Sequence, residues 1–319
     1  MSTVNIVMAT YQGERFLSEQ IESILRSGYT DWCLHIADDG SADRTVEIAK
    51  SYEARYPERI HVHVNRENRG HALNFLSALL RAAGEKDQGT HSSNVPAYYM
   101  FCDQDDVWMP DKIERTLNYM RQMEKKYGKR IPAAVFTDVR VVDENLMQLY
   151  RSFYAVGRLN TKKLDLPHIL MENKMIGCTV MMNEALVSRI ETLPEHARYH
   201  DWWIAILAAA FGHIGYYPEA TMYYRQHGNN VVGTGDYRDY VRNRAAALRQ
   251  QKEALLKCQL QAEDFYRIYQ TALDKRAART IREFAALHER AWLVRRWKLL
   301  RYGYFKTGLL RNIGVMLLL

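Results

Sequence analysis

Cysteine is scarce and scattered in this sequence. The 319 residues include four cysteines, Cys33, Cys102, Cys178 and Cys258, with no Cys-x-x-Cys pair among them. Zinc knuckles, redox motifs and disulfide frameworks all bring cysteines together at short spacings. The scatter argues against these three kinds of site and favours a reducing compartment.

Long hydrophobic runs are also missing. No window reaches the roughly 18 to 20 apolar residues of a membrane-spanning helix, and residues 1–10 lack the pattern of a secretory signal. The sequence contains no G-x-x-x-x-G-K-[ST] phosphate loop either. We therefore expect a cytoplasmic protein that does not span a membrane and is not a P-loop enzyme.

Acidic residues become sparse toward the end of the chain. The net charge is +7, and from Asp236 onward 18 lysines and arginines stand against 8 aspartates and glutamates. The basic character therefore belongs to a C-terminal extension. A main fold that bound nucleic acid would carry such charge itself, so nucleic acid is not an expected partner.

Short apolar runs alternate with amphipathic stretches of helical period through the first half. This alternation predicts an α/β fold, doubly wound around a mostly parallel sheet, with ligands at the carboxyl ends of the strands. Ser41 is predicted to cap the second helix. The predicted strands are 4–9, 32–37, 60–64, 97–102 and 133–136, and the predicted helices are 14–26, 43–56 and 72–83.

The composition changes after Asn229. Long helical stretches from about 237 to 288 are followed by a basic, aromatic segment, and Gly233 and Gly235 lie between the unlike compositions. We predict an α/β domain over residues 1–233 and a helical, basic extension over residues 234–319.

The first acidic cluster directly follows the second predicted strand. Asp38 and Asp39 precede Gly40 and Ser41, at the position that faces the ligand crevice of a doubly wound sheet. A carboxylate there can accept hydrogen bonds from a base imide or a ribose hydroxyl. The alternative is that both aspartates only cap the following helix.

A second acidic cluster follows the fourth predicted strand. Asp103 and Asp105, at i and i+2, can converge on one divalent ion, since hard cations prefer carboxylate oxygens. The alternative, for Asp106 at least, is capping of a helix that begins near Pro110. The cluster predicts a site for Mn²⁺ or Mg²⁺.

With these two acidic clusters and several further segments, the sequence resembles the family 2 glycosyltransferases, which have the GT-A fold. Asp-Gln-Asp-Asp-Val-Trp, His-Asp-Trp-Trp and Tyr-Arg-Gln-His are most similar to rhamnosyltransferases of cell-wall and O-antigen polysaccharides, which use dTDP-L-rhamnose. The matching segments are 6–11, 38–41, 67–70, 103–108, 175–179 (an acceptor-side strand in the family), 200–203 and 224–230.

The resemblance implies a role for Asp201. Inverting transfer needs a base that removes a proton from the acceptor hydroxyl, and the family uses the second acid of a Glu-Asp pair. Asp201 holds that position, while His200 replaces the glutamate. The alternative is that Asp201 only caps its helix.

Further roles follow from the same resemblance. Arg225 is expected to pair with the diphosphate, and His227 to ligate the ion or donate to phosphate. The nucleotide is expected to contact Thr10, Tyr11 and Arg69. Trp108 and Trp202 are expected to stack on sugars, with a place in the core as the alternative for each.

The last segment of the chain has cations and aromatic residues but no acid. Residues 290–319 interleave arginine and lysine with tryptophan and leucine. Such a helix either lies in an anionic membrane interface or packs on the catalytic domain or on another subunit. We expect peripheral attachment at the inner face of the membrane, a lipid-linked saccharide acceptor and a possible homo-oligomer.

Two other interpretations stay open at this point. The donor could be a UDP-hexose or a UDP-N-acetylhexosamine, because no residue reports the sugar directly. More remotely, the chain could bind nucleotides or nucleic acid without catalysis, although the intact Asp103, Asp105 and Asp201 argue against an inactive relative.

Overall fold

The computed structural model of the chain describes residues 2–85, 96–227 and 244–318. The predicted boundary between residues 233 and 234 lies outside these ranges, and so do residues 228–230 at the end of the last motif. The division into two domains therefore stays a prediction.

Within these ranges, nine strands form one mixed sheet in the order β3-β2-β1-β4-β8-β6-β9-β5, with β7 paired to β6. Strand β1 is parallel to β2 and β4, whereas β8 is antiparallel to β4 and β6. The bounds are β1 Val4–Thr10, β2 Trp32–Asp38, β3 Ile60–Val64, β4 Tyr98–Cys102, β5 Val107–Trp108, β6 Ala133–Val142, β7 Gln148–Tyr150, β8 Met181–Asn183 and β9 His213–Arg225.

Helices cover both faces of this sheet, which confirms the predicted doubly wound α/β class. The bounds are α1 Leu17–Leu25, α2 Thr45–Arg55, α3 His71–Glu85, α4 Lys112–Tyr127, α5 Phe153–Gly157, α6 Leu166–Met171, α7 Glu184–Val187, α8 His200–Phe211, α9 Arg244–Tyr269, α10 Lys275–Ala285, α11 Trp292–Tyr302 and α12 Leu309–Leu318.

Strand β1 shows why the strands in the first half of the sequence are nearly continuous apolar runs. Its residue Val7 belongs to the core cluster that includes α3 and α8, whereas Ile6 and Met8 belong to the cluster that includes α1 and α4. Because successive side chains of a strand point to opposite faces, a strand covered on both sides needs apolar residues at nearly every position.

The C-terminal helices extend the core on the α8 side. The ring of Trp203 lies 5.2 Å from that of Phe265 on α9, and Phe284 on α10 packs 5.1 Å from Tyr304. Asp274 caps α10 by accepting the backbone N–H groups of Arg276 and Ala277. Residues 244–318 thus form separate helices that pack on one another and against α8.

Two local predictions were wrong. Ser41 does not cap α2, because that helix begins at Thr45. The hydroxyl of Ser41 instead donates to Asp38 Oδ1 over 2.6 Å. Residues 175–179 are not a strand, because Gly177–Thr179 forms a 3₁₀ turn and β8 begins only at Met181. In both segments local hydrogen bonds decide the conformation: Ser41 bonds to Asp38, and the Thr179 N–H donates to the Ile176 carbonyl over 2.9 Å.

Candidate active site

A cavity of about 580 Å³ opens at the carboxyl ends of β1, β2 and β4. Seven of the predicted site residues line it: Thr10, Tyr11, Asp39, Asp103, Asp105, Asp201 and Trp202. The carboxyl ends of parallel strands meet at one edge of a sheet, so residues far apart in sequence converge there.

The two aspartates after β2 have different surroundings. Asp38 is fully buried and accepts hydrogen bonds from Thr10 Oγ1, the backbone N–H of Gly40 and Ser41. Asp39 lines the cavity and accepts the backbone N–H groups of Arg69 and Gly70 over 2.8 and 2.9 Å. Asp38 therefore shapes the turn, and Asp39 is the carboxylate that a ligand can reach.

A glutamine inside the acidic cluster joins two of these strand ends. Gln104 accepts from the backbone N–H of Tyr11 over 2.9 Å and donates to its carbonyl over 3.0 Å. A Cβ atom at Gly13 would lie 2.2 Å from Gln104 Oε1, so only glycine leaves room for this side chain. Sequence reasoning assigned Gln104 no role, although its place between two aspartates was a usable signal.

The second acidic cluster concentrates negative charge at the cavity floor. Ligand atoms of Asp103, Asp106 and Cys178 lie within 4.8 Å of one another. Burial and then the charges of Asp105 and Asp201 raise the pKa of Asp103 to about 7. Burial likewise raises the pKa of Asp106, which does not cap a helix and instead accepts the backbone N–H of Arg225 over 3.0 Å.

Asp105 is joined to the segment after β9. Its Oδ2 lies 2.8 Å from Nε2 of His227, whose ring packs 5.2 Å from that of Phe16. The structure thus brings two of the three predicted metal ligands, Asp105 and His227, together from positions 122 residues apart.

The carboxylates of this floor suit a hard divalent cation, although within the described residues the ligand atoms gathered within 4.8 Å belong to Asp103, Asp106 and Cys178 and not to Asp105 or His227. Asp103 and Asp105 offer carboxylate oxygens, which suit Mg²⁺ and Mn²⁺, and His227 adds an imidazole nitrogen. Cys178 is a poor ligand for such ions, and burial raises the pKa of its thiol well above the usual value. Burial and then the charges of Asp105 and Asp201 raise the pKa of Asp103, and a bound cation would oppose both effects.

Asp201 lies in the first turn of α8 and lines the cavity. It is 8% exposed, and its Oδ1 accepts the backbone N–H of Trp202 over 2.7 Å. Burial raises its pKa to about 7, against the opposing hydrogen bonds from Asn173 and from backbone N–H groups. The N-cap residue of α8 is Tyr199, so the carboxylate of Asp201 is not the N-cap.

His200, beside it, is enclosed by rings. Its imidazole stacks on Phe75 at 3.8 Å and meets Phe101 edge-on at 4.6 Å, and a Cβ atom at Gly177 would lie 2.6 Å from its Nε2. Neither ring nitrogen has a hydrogen-bond partner within the described part of the chain. Burial lowers the pKa of His200 well below its usual value, so the ring is neutral and cannot replace a carboxylate.

Comparison with known proteins decides the family. The model of "Glycosyl transferase family 2" matches residues 5–176, which is more than half of the chain. The chain belongs to this family.

Relatives agree with this assignment. The dTDP-rhamnosyl transferase RfbG of Shigella flexneri is 28% identical over 246 residues, which cover 71% of this chain and 73% of the relative. The beta-1,3-glucosyltransferase WfgD of Escherichia coli, named for UDP-Glc and a GlcNAc-diphosphoundecaprenol, is 25% identical over 209 residues, covering 64% and 69%.

Solved structures confirm the GT-A fold of this glycosyltransferase. The mannosyltransferase PcManGT from Pyrobaculum calidifontis, in complex with GDP-Man and Mn²⁺, superposes with a TM-score of 0.52 at 16% identity, covering 94% of this chain and 72% of that one. Staphylococcus aureus TarS 1-349 with UDP gives 0.52 at 13%, covering 91% of each.

Two further predicted site residues of the glycosyltransferase, Trp108 and Arg69, lie outside the cavity lining, and Trp202 is held by a hydrogen bond. Trp108 is in the core, 3% exposed, with Lys112 Nζ 4.8 Å from its ring. Arg69 is exposed, and only its backbone N–H reaches Asp39. Trp202 lines the cavity, but its indole N–H donates to the Ile169 carbonyl over 2.6 Å.

Arg225 lies behind the acidic cluster. Its side chain is 2% exposed; Nε donates to the Asp105 carbonyl over 2.8 Å, and further donors reach Glu19 and the Glu144 carbonyl. The guanidinium also lies over the ring of Phe16 at 4.4 Å. In this structure Arg225 holds the loop of Asp105 in place, and its contact with a diphosphate stays a prediction.

Several cavity residues of the glycosyltransferase were not anticipated. They come from the start of α3 and from the segments before β8 and α8, which carried no acidic or glycine-rich signal. The main ones are His71, Asn74, Asn173, Lys174 and Tyr199, together with Phe153 from α5.

Proposed function

We propose that this glycosyltransferase moves L-rhamnose from dTDP-L-rhamnose to a hydroxyl of a lipid-linked glycan, with inversion at the anomeric carbon. One observation carries the proposal: a single cavity is lined by Asp39, by Asp103 and Asp105, and by a buried Asp201 whose pKa is raised to about 7. The choice of rhamnose is supported by the printed name of the Shigella flexneri relative and by the three motifs quoted above.

The nucleoside binds at the ends of β1 and β2 in this proposal. Thr10 and Tyr11 contact the base, and Asp39 accepts a hydrogen bond from its imide or from the ribose. Asp39 is already oriented by the backbone of residues 69 and 70, so binding does not require it to reorganise.

The diphosphate lies over Asp103 and Asp105, which with His227 would hold Mn²⁺ or Mg²⁺. The ion supplies charge stabilisation for the diphosphate that leaves. Gln104, between the two aspartates, holds their loop to Tyr11 by a pair of hydrogen bonds, so the nucleoside and diphosphate sites keep a constant spacing.

Asp201 removes the proton from the acceptor hydroxyl while the oxygen attacks the anomeric carbon from the face opposite the diphosphate. A base works best when its pKa is near the working pH, and burial brings the carboxyl of Asp201 to about 7. Hydrogen bonds from Asn173 and the Trp202 N–H orient the carboxylate.

The setting of the enzyme is also part of the proposal. The acceptor would be held on a lipid at the cytoplasmic face of the membrane, with residues 1–233 as the catalytic domain and residues 234–319 as the extension. The Escherichia coli relative, whose name includes a diphosphoundecaprenol, supports an acceptor of this type.

A UDP-sugar donor is the second candidate. It is favoured by the name of the same Escherichia coli relative, which specifies UDP-Glc. Asp39 can accept from the imide of uracil or thymine alike, so the base contact does not separate the two donors.

Calorimetry with a panel of dTDP-, UDP- and GDP-sugars, each with and without Mn²⁺, tests the donor. We expect dTDP-L-rhamnose to bind most tightly and to require the metal. Asp39→Asn should weaken this binding, with Glu58→Gln, at an exposed carboxylate, as the control. Binding of UDP-sugars without binding of dTDP-L-rhamnose would exclude rhamnose and leave the family unchanged. No binding of any sugar nucleotide would overturn the enzyme assignment.

A further inference from the structure

The helix α11 presents its apolar residues to solvent. Leu293, Trp297 and Leu300 follow the i, i+4, i+7 spacing of one helix face, and all three are exposed, Trp297 to 58%. Leu299, on the opposite face, is fully buried against the rest of the protein. A surface helix ordinarily shows the reverse arrangement, with polar residues outward.

The next helix, α12, has the same inverted arrangement. Leu310, Ile313 and Leu317 share one face and are exposed, Leu310 to 68% and Leu317 to 73%, while Val315 on the opposite face is buried. We call the exposed apolar faces of α11 and α12 together the outer face. Clustered exposed apolar side chains of this kind mark a binding surface.

Positive charge surrounds the outer face. Residues 290–319 contain no acid, and among the described residues Arg290, Arg296 and Arg301 form no salt bridge. The guanidinium of Arg296 lies 3.4 Å from the centre of the Trp292 ring. Tryptophan with arginine at the border of an apolar face is the composition of helices that lie in the headgroup region of a bilayer.

The outer face is tied to the wall of the cavity. In the turn between α11 and α12, Thr307 donates its backbone N–H to Glu172 over 2.9 Å and accepts from Lys174 Nζ over 2.6 Å. Arg311 on α12 pairs with Glu172 at 3.0 Å. Lys174 lines the cavity and its neighbour Asn173 binds Asp201, so the outer face and the acceptor side of the site form one connected structure.

We propose that the outer face docks on an anionic lipid surface, with its leucines and tryptophans among the lipid headgroups and its arginines beside the lipid phosphates. The inference extends the proposed function, since a lipid-linked acceptor would then approach the cavity from the surface on which the enzyme rests. In the described residues no helix has the length and apolar composition to cross a bilayer, so attachment through this face is peripheral.

The positive charge beside the outer face favours a lipid surface over a second copy of the chain as the partner of this face. A symmetric dimer through the outer face would bring the Arg290, Arg296 and Arg301 groups of two copies together without an acidic residue of the same segment to neutralise them. An anionic bilayer offers both the apolar layer and the opposite charge.

Vesicle sedimentation of the full chain tests the proposal. We expect binding to vesicles of phosphatidylcholine with phosphatidylglycerol, a blue shift of tryptophan fluorescence, and much weaker binding to phosphatidylcholine alone. Salt should weaken the binding, because the phosphate contacts are screened.

Two sets of variants separate the apolar from the charged contribution. The triple variant Leu293→Glu, Trp297→Glu, Leu310→Glu should lower partitioning at least about a hundredfold. Replacing Arg290, Arg296 and Arg301 by glutamine should lower it about fivefold for each arginine.

Matched controls carry the same changes elsewhere. Leu149→Glu with Leu256→Glu alters exposed leucines of other elements, and Lys129→Gln with Arg130→Gln removes exposed cations; both should bind like the wild type. Loss of binding in these controls would show only a general charge effect and would overturn the assignment of the surface.

Two further outcomes would contradict the proposal. Equal binding to neutral and anionic vesicles, or none to either, would exclude an anionic lipid surface. Light scattering that shows a dimer broken by the leucine and tryptophan changes, without vesicle binding, would assign the face to a second copy. Neither assay contains donor or acceptor, so their failure is distinct from failure of the proposed rhamnosyl transfer.

Discussion

The cavity and the outer face are opposites in polarity. In the cavity, carboxylates are buried: Asp201 is 8% exposed and carries a pKa raised to about 7. On the outer face, large apolar side chains are exposed, Trp297 to 58% and Leu293 to 72%. Each arrangement is unfavourable for the chain alone, because a buried charge loses hydration and an exposed apolar side chain orders water.

In both regions the chain keeps side chains that lower its own stability and that a bound partner would stabilise. A strained or costly group persists when it acts on something that the isolated chain does not contain. For the cavity the proposed ligands are a sugar nucleotide and a metal ion; for the outer face the proposed partner is lipid. The following predictions alter one region and ask whether the other responds.

The largest effect is expected for Asp201→Asn. The amide keeps the shape and one acceptor oxygen but cannot take a proton, so turnover should fall by roughly 100- to 10,000-fold. Donor affinity and vesicle binding should change little, which calorimetry and sedimentation of the same variant will measure.

Two results would assign Asp201 differently. A fall in donor or Mn²⁺ affinity along with rate would make it a ligand-binding group. Turnover at the wild-type rate would place the base elsewhere. The neutral, ring-enclosed His200 would then be the next residue to test, by His200→Ala.

A smaller effect is expected for Asp105→Asn. Removing one hard anionic oxygen should raise the Mn²⁺ concentration needed for half-maximal activity by about 10- to 100-fold. EDTA should abolish wild-type activity, and Glu58→Gln, which changes an exposed carboxylate, serves as control. Wild-type activity that persists in EDTA would remove the metal from the mechanism.

Below about pH 7, the kcat/KM of the wild-type enzyme should rise about tenfold for each unit of pH. The base acts in its deprotonated form, and burial raises the pKa of Asp201 to about 7. At saturating Mn²⁺, kcat/KM should therefore rise with pH below about 7 and level off above it. In Asp201→Asn the residual rate should lose this slope; a wild-type profile already flat at pH 5 would contradict the buried-base assignment.

The smallest effect is expected on the free energy of unfolding when a side chain of the outer face is removed. Without vesicles, Trp297→Ala should change the free energy of unfolding by less than about 0.5 kcal/mol, because the ring is already exposed. Trp203→Ala, in the core, should cost about 3 to 5 kcal/mol in the same denaturation assay. A large loss in Trp297→Ala would mean that the outer face stabilises the fold instead of binding lipid.

Local pattern was sufficient for the first half of the fold. The strands β1 and β2 and the helices α1 to α3 were predicted to within a few residues at their ends, because strands buried on both faces and amphipathic helices have distinct periodicities. The antiparallel insertion of β8 between β4 and β6 had no such signal, since three residues do not establish a period.

The residues of the candidate site likewise fall into those that local sequence pattern predicted and those that it did not. Acidic residues directly after strands identified Asp39, Asp103 and Asp105, because strand ends are where a parallel sheet binds ligands. Asn173 and Lys174 were missed, and their place in the cavity depends on the packing of α6 and the turn before α12. Trp108 and Asp38 carried the same motif signal as their neighbours, yet the structure turns both into the protein.

The sequence by itself determined that this chain has an α/β sheet with acidic strand ends and a basic, amphipathic end segment, since composition and period are properties of short stretches. Only the tertiary structure decided which side of each stretch is covered. An amphipathic pattern specifies two faces of a helix, and long-range packing places the buried Leu299 inward and the exposed Trp297 outward. The same long-range packing encloses Asp201 and thereby sets the pKa of the proposed base.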